Sequence, residues 1–208
     1  MIRSCPTVCA LTLSFCAFTA ASPRAALADD DPIPSAATPP ASFGARGVLA
    51  IGSDASGTAY EELSTGTHST SVNLQPAVDY FVANHLSLGA SLWFAYSSQE
   101  EPSARDHEFV YGIGPRVGYD LPLSEHFSLW PKLSGFVSHS SDTFENTAPA
   151  SRTTDSGSNV EVELFVPVMF HPVPHFFVGI GPFAEAVLTG AGSAFLGGKI
   201  TIGGWVGP

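Results

Sequence analysis

The stretch HLSLGASLWFAY, residues 85–96, alternates between two kinds of side chain. Every second position is apolar, and the positions between are mainly small or polar. Successive side chains of a β-strand point to opposite faces, so this period of two predicts a strand with one apolar face. That face carries Leu86, Leu88, Ala90, Leu92, Phe94 and Tyr96. Segment 160–171 repeats the pattern, with Val160, Val162, Leu164, Val166, Val168 and Phe170 on its apolar face.

The same alternation recurs from Phe43 onward and predicts eight strands, at 43–53, 69–82, 85–97, 107–121, 126–139, 158–171, 175–187 and 195–206. Short connections near 83–85, 122–125 and 172–174 alternate with longer ones at 54–68, 98–106, 140–157 and 188–194. All the short turns then lie at one end of the sheet, as in membrane-spanning barrels. The predicted fold class is all-β, an eight-stranded antiparallel up-and-down transmembrane β-barrel over residues 43–208.

The first 28 residues are predicted to be a secretory signal peptide. An uncharged apolar run, Val8 to Ala21, precedes the small-x-small motif Ala26-Leu27-Ala28, so cleavage is expected after Ala28. An uncleaved membrane anchor is the alternative. The following stretch, 29–42, is rich in Pro, Ala and Asp and is typical of a disordered linker.

Removal of this leader changes the chemistry available to the chain. All three cysteines leave with it, so neither a disulfide nor a thiolate site is expected. Without Arg3 and Arg24 the formal net charge falls from −11 to −13. Nucleic acid is therefore excluded as a partner, because its phosphates need cationic contacts.

Charged residues within the strands fall on the less apolar face. These ten residues are Arg46, Asp79, Glu108, Arg116, Asp120, Lys132, Glu161, Glu163, Glu185 and Lys199. In a membrane barrel this face lines an interior that side chains just fill, so the charges must pair there. The prediction is a plugged polar network that conducts no ions. A soluble exported barrel or sandwich that binds an apolar ligand is the alternative, and it would turn the Val160–Phe170 face inward.

Glycine and proline add two local expectations. Gly-Ile-Gly-Pro occurs at 112–115 and again at 179–182, but its spacing does not match a dinucleotide-binding loop. We interpret both copies as equivalent strand segments with inward glycines. Pro76, Pro115, Pro131, Pro167 and Pro182 lie inside predicted strands. Proline cannot donate to a β-ladder, so bulges or local bends are expected at them.

Two kinds of chemistry are weighed and not adopted. His85, His126, His171 and His175 fall near the short turns, but spacing alone does not bring metal ligands together, and we predict no metal and no cofactor. His139 with Ser140 or Ser141 and with Asp142 or Glu145 could form a lipid hydrolase site, but triads are defined by geometry and not by adjacency. The chain is predicted not to be an enzyme, with a lipid-modifying hydrolase as a further alternative.

The segment FVYGIGPRVGYDLPLSEHFSLWPKLSGFVS, 109–138, resembles the middle hairpin of bacterial outer-membrane barrel proteins of the OmpA-like, OmpX-like and opacity-protein superfamily. The resemblance rests on a glycine-rich strand, a Leu-Pro-Leu-Ser turn and an aromatic return strand. It implies a monomeric barrel in a Gram-negative outer membrane, exported across the inner membrane and delivered by periplasmic chaperones to the outer-membrane assembly machinery. A structural, adhesion or minor-porin role is the expectation, with outer-membrane lipid as a partner.

Overall fold

A computed structural model describes residues 42–62, 67–147, 150–190 and 192–207. The predicted signal peptide and all of the predicted linker except Ser42 lie outside these ranges. The strands are β1 (Leu49–Glu62), β2 (Thr67–Ala83), β3 (Leu86–Glu101), β4 (Ala104–Tyr119), β5 (Leu121–Pro122), β6 (Phe127–Leu129), β7 (Lys132–Thr147), β8 (Ala150–Phe165), β9 (Val168–Phe170), β10 (Phe176–Val187) and β11 (Ser193–Val206). The described residues contain no helix long and apolar enough to cross a membrane.

The strands form one closed antiparallel sheet. Around the ring the order is β1, β2, β3, β4, β7, β8, β10 and β11, each paired with the next, and β1 pairs with β11 to close it. β5 continues β4, β7 continues β6 and β9 continues β8. The ring therefore has eight strands when each interrupted strand is counted once. The predicted fold class, an eight-stranded up-and-down antiparallel barrel, is therefore confirmed. The short turns lie together at what we call the turn end, and the long hairpins extend from the opposite, outer end.

Three of the four predicted long loops are wrong in extent, because the strands continue through them. β1 and β2 stay paired out to Glu62 and Thr67, β3 and β4 to Glu101 and Ala104, and β7 and β8 to Thr147 and Ala150. These segments are rich in Ser and Thr, and their hydroxyl groups bond across the hairpins, as Thr58 does with Ser71 and Thr143 with Thr154. Cross-strand pairs of this kind stabilise a sheet without an apolar face.

The wall has its apolar side outward. Ile113 is 59% exposed and Val137 is 63% exposed, whereas Trp93, Phe136 and Arg116 on the opposite face are buried. The Val160–Phe170 face also points outward, so the alternative that turned it into a soluble core is wrong. Outward aromatic residues form one row near the turn end and another near the outer end, listed as Tyr80, Tyr119, Phe127 and Phe170, then Phe94, Tyr96, Phe109 and Tyr111.

The five prolines are accommodated without the expected bulges. At Pro76 the ladder to β3 lapses between Leu74 and Ala77, and at Pro115 the ladder to β7 lapses between Ile113 and Arg116. The register is the same on both sides of each lapse. Pro131 and Pro167 occupy the breaks before β7 and before β9, and Pro182 lies beside the second break. A missing donor thus costs local ladder bonds but no change of register.

The repeated Gly-Ile-Gly-Pro motif allows neighbouring strands to approach closely. A Cβ placed on Gly114 would lie 1.5 Å from the backbone oxygen of Gly135. One placed on Gly181 would lie 2.1 Å from the backbone oxygen of Val166. Both glycines are on the inward face, where any larger residue would push the adjacent strand away.

Candidate functional site

The middle of the barrel holds a buried charge network. The guanidinium of Arg116 donates to Asp79 at 2.5 Å and to Asp54 at 2.7 Å. Lys132 Nζ donates to the other oxygen of Asp54 at 2.6 Å. These four side chains are 1–6% exposed. Asp54 thus bridges two cations, and the ion pairs satisfy charges that would otherwise be costly to bury.

A second group, with members on β2, β8 and β11, completes the network. Lys199 forms an ion pair with Glu163, and the same carboxylate accepts a hydrogen bond from Gln75 Nε2 at 3.1 Å. Lys132 Nζ also lies 4.7 Å from the ring centroid of Phe165, and Lys199 Nζ lies 4.4 Å from that of Phe183. The buried lysines therefore contact an aromatic face as well as a carboxylate.

Five of the ten residues selected from the sequence meet here, namely Asp79, Arg116, Lys132, Glu163 and Lys199. Glu108, Glu161 and Glu185 lie on the same inward face nearer the outer end and have no ion pair to a cation among the described residues. Asp120 is buried at the turn end, where its carboxylate faces His85 at 3.6 Å. The placement of Arg46 is wrong, because it lies exposed on a turn before β1 and outside the lumen.

The sequence prediction missed Asp54, which is central to the network. It had been assigned to a loop because the predicted first strand stopped at residue 53. The alternation Ala50, Gly52, Asp54 continues the inward face of β1, and this was the signal that could have found it.

An aromatic floor closes the turn end of the lumen. Phe43 enters from the segment before β1 and packs against Phe81, Trp130 and Phe177, with ring centroids 5.1–5.5 Å apart. Trp205 on β11 joins the same buried cluster. Together with the ion pairs above them, these rings fill the interior from the turn end to mid-barrel.

Four histidines line a cavity of about 430 Å³ below this floor, as their positions near the short turns suggested. They are His85, His126, His171 and His175. Among the described residues no three His, Cys, Asp or Glu side chains are placed to hold a metal ion. Burial, followed by the neighbouring charge of His126, lowers the pKa of the His171 imidazole below its usual value. Its Nε2 lies 3.2 Å from Ser128 Oγ.

The residues weighed as a hydrolase site do not assemble as that hypothesis required. His139 Nδ1 lies 3.3 Å from the hydroxyl oxygen of Ser158 on β8, not from Ser140 or Ser141. His139 and Asp142 are separated by an odd number of strand positions, so they belong to opposite faces of β7. No carboxylate hydrogen-bonds to the His139 ring among the described residues.

No known family profile and no curated protein matches the sequence. Solved structures do resemble the fold. A major outer membrane protein from Thermus thermophilus superposes with a TM-score of 0.51 at 10% identity, over 76% of this chain and 99% of that one. Ail, the attachment invasion locus protein of Yersinia pestis, gives 0.49 at 16% identity over 77% and 99%. Neisserial surface protein A gives 0.45 at 16% identity over 79% and 99%.

At these identities the likeness concerns the fold alone. The closed ring of eight strands, the apolar exterior and the similarity to the Thermus structure agree with one another. The chain has the eight-stranded β-barrel fold of outer-membrane proteins.

Proposed function

We propose that this chain is an integral outer-membrane β-barrel protein, exported with cleavage after Ala28 and inserted as a monomer. The observation that carries the proposal is the inverted distribution of polarity. Large apolar side chains cover the outside of the ring, and three cations with their carboxylate partners are buried inside it. A lipid bilayer is the solvent that makes this arrangement favourable.

Arginine scanning of the exterior tests this placement. Ile113 lies outward on β4, between the two aromatic rows, so Ile113→Arg would put a cation against the hydrocarbon. Such a change costs roughly 2–4 kcal/mol near the bilayer midplane and about 0–1 near the interface. Leu188, 60% exposed in the outer connection after β10, is the matched control.

The readout is heat-modifiable gel migration of protein extracted from the outer-membrane fraction. Ile113→Arg should reduce the folded, fast-migrating band, and Leu188→Arg should leave it unchanged. A parent protein found in the aqueous fraction, or two variants that behave alike, would contradict the proposal.

The interior supports a non-conducting barrel. Four ion pairs lie in the middle of the lumen, and the rings of Phe43, Phe81 and Trp130 lie below them. An eight-stranded barrel leaves little space beyond its own side chains. Planar-bilayer recordings should show no stable open channel, and a large steady conductance would exclude this plugged state.

A surface-interaction role is the finer part of the proposal. The hairpins β1–β2, β3–β4 and β7–β8 continue beyond the outer aromatic row and present Ser, Thr and carboxylate side chains. Shortening β7–β8 by deleting 145–152 should abolish binding to whatever surface the cells attach to, while heat-modifiable migration is kept. Attachment that persists at parental level with the shortened hairpin would remove this role.

A further inference from the structure

The barrel wall is open on one side near the outer end. β1 and β11 pair only from Leu49↔Val206 to Ala55↔Ile200. Both strands continue beyond that point, β1 through residues 56–62 and β11 through residues 193–199, but each then pairs only with its other neighbour. A gap in the ladder therefore begins between Ala55 and Ile200.

A cavity of about 410 Å³ lies at this gap. Its lining includes inward residues, such as Asn73 and Glu185, and residues on the outward face, such as Leu196. The cavity thus connects the outer part of the lumen with the outside of the wall. Its volume is within the range of roughly 300–1,000 Å³ that is usual for small-molecule sites.

In the part of the lumen nearer the outer end, carboxylates outnumber the cations available to pair with them. Three cations of the described chain are already in ion pairs with Asp54, Asp79 and Glu163. They are Arg116, Lys132 and Lys199. Arg105 and Arg152 are exposed and lie beside Glu100 and Glu145 in the hairpins, and Arg46 is on the turn before β1. The carboxylates Glu108 and Glu185 line the cavity and form no direct ion pair among these described residues. Lys199 also attracts Glu185, but its ion pair is with Glu163.

A buried carboxylate nearby adds to this negative charge. Glu161 is 3% exposed, and its Oε1 accepts a hydrogen bond from Ser138 at 2.6 Å. Its Oε2 is buried without a partner. A buried carboxylate without a partner is costly, so a bound cation would be stabilised here.

Apolar side chains line the cavity on the β10 and β11 side, and hydroxyl and amide groups of β1, β2 and β3 line the rest. Phe183 faces the cavity from β10, and Phe195 and Leu196, which are 52% and 86% exposed, border it on β11. An occupant that complements this site has a positive head group and a short apolar chain. A bare metal ion does not complement it, because no three ligating side chains converge among the described residues.

We propose that the cavity binds a small cationic amphiphile of the alkylammonium class. The head group lies beside Glu108 and Glu185, which line the cavity. The alkyl chain lies against Phe183, Phe195 and Leu196 and reaches the bilayer through the opening between β1 and β11. The cavity includes Thr58 and Ser71 at the base of the β1–β2 hairpin, but it lies within the wall and takes a small molecule, so it goes beyond the surface-interaction role.

The test is a head-group series on the parent protein in nanodiscs of zwitterionic lipid. Octyltrimethylammonium, octyl glucoside and octyl sulfate share one chain and differ in charge. Calorimetric titration, corrected with empty nanodiscs, should give saturable one-to-one binding of the ammonium, at least tenfold tighter than the other two. Equal affinities, or heat no different from that of empty nanodiscs, would overturn the proposal without any variant.

Variants then locate the site. Glu108→Gln with Glu185→Gln should weaken ammonium binding at least tenfold. The matched control is Glu100→Gln with Glu145→Gln, which changes two carboxylates on the hairpins and should bind like the parent. An unchanged affinity in the first pair refutes the site. Heat-modifiable migration, measured first, separates this result from failure of the barrel to fold.

The opening has its own test. Gly198 lies beside the gap on the outward face of β11, and a Cβ added there would meet only the backbone oxygen of Gly181, at 4.0 Å, so a larger side chain can begin there without a clash. Gly198→Trp should block the gap, leave heat-modifiable migration intact and reduce ammonium binding at least tenfold. Parental affinity in a folded Gly198→Trp protein would show that the ligand does not use this opening.

Discussion

Lys132 Nζ lies 2.6 Å from Asp54 Oδ1, and both side chains are almost fully shielded from solvent. The partners are far apart in sequence, on β7 and β1, so this ion pair ties opposite sides of the ring together. Asp54 also accepts from Arg116, which is held in turn by Asp79. The pair is therefore one link in a chain of charges, and removing one member leaves the others unbalanced.

Lys132→Met should destabilise the barrel by about 3 kcal/mol, the lower end of the range for breaking a buried pair, because Arg116 still neutralises Asp54. Urea unfolding in lipid vesicles measures the free energy. Arg152→Gln, which breaks the exposed contact with Glu145, should cost less than about 1 kcal/mol.

A double variant separates charge imbalance from lost packing. Asp54→Asn combined with Lys132→Met removes one charge of each sign, so its cost should be smaller than the sum of the two single changes. Strict additivity would mean that the two groups act independently despite the direct contact between them.

Gly114→Ala should prevent folding of most of the protein, because the new Cβ would fall 1.5 Å from the Gly135 backbone oxygen and the strands would have to separate. The control lies on the neighbouring strand. A Cβ on Gly135 has its nearest contact at 3.9 Å, so Gly135→Ala should fold like the parent. Heat-modifiable migration after refolding measures both, and equal yields would show that β4 and β7 can move apart.

Alternation of side chains was sufficient to predict the ring, its faces and five of the six charged residues that meet in the network. It was insufficient where the chain leaves extended geometry. Arg46 has the parity of an inward residue, but Gly44 and Gly47 adopt φ values of 84° and 91°, so the strand pattern does not extend back to it. The extent of the outer hairpins was predicted wrongly for a different reason. Their Ser- and Thr-rich strands have no apolar face to mark them, and only pairing across the hairpin reveals them.

Which carboxylates pair with which cations could not be predicted either. Pairing depends on how strands from opposite sides of the ring face each other, and sequence spacing does not contain the stagger of the barrel. Glu161 and Glu163 are two residues apart on one face, but only Glu163 reaches a lysine.

Stability should fall as the pH is lowered below about 6.5 through the titration of His171. Burial lowers the pKa of this imidazole in the folded protein, so the unfolded chain binds the proton more readily. The free energy lost by keeping the His171 imidazole neutral in the folded protein is zero above the pKa of the unfolded chain. It grows as the pH falls toward the pKa of the folded protein. Urea midpoints at about pH 7.5 and about pH 5 should therefore differ less in His171→Gln than in the parent. His107→Gln, in an outer hairpin, controls for the loss of a histidine as such, and an equal difference in the parent and His171→Gln would contradict this assignment.

Phe43 should stabilise the aromatic floor of the barrel and keep water out of it. Its ring contacts Phe81, Trp130 and Phe177, but it belongs to the segment before β1 and makes no ladder pair of its own. Phe43→Ala should cost about 2 kcal/mol, below the roughly 3–5 typical of a fully buried ring, because Phe43 is only partly buried. Because Trp130 lies against this ring, its fluorescence should shift to the red as water enters. Val173→Ala, on an exposed turn at the same end, should change neither quantity. A parental emission spectrum in Phe43→Ala would mean that the remaining rings seal the lumen without it.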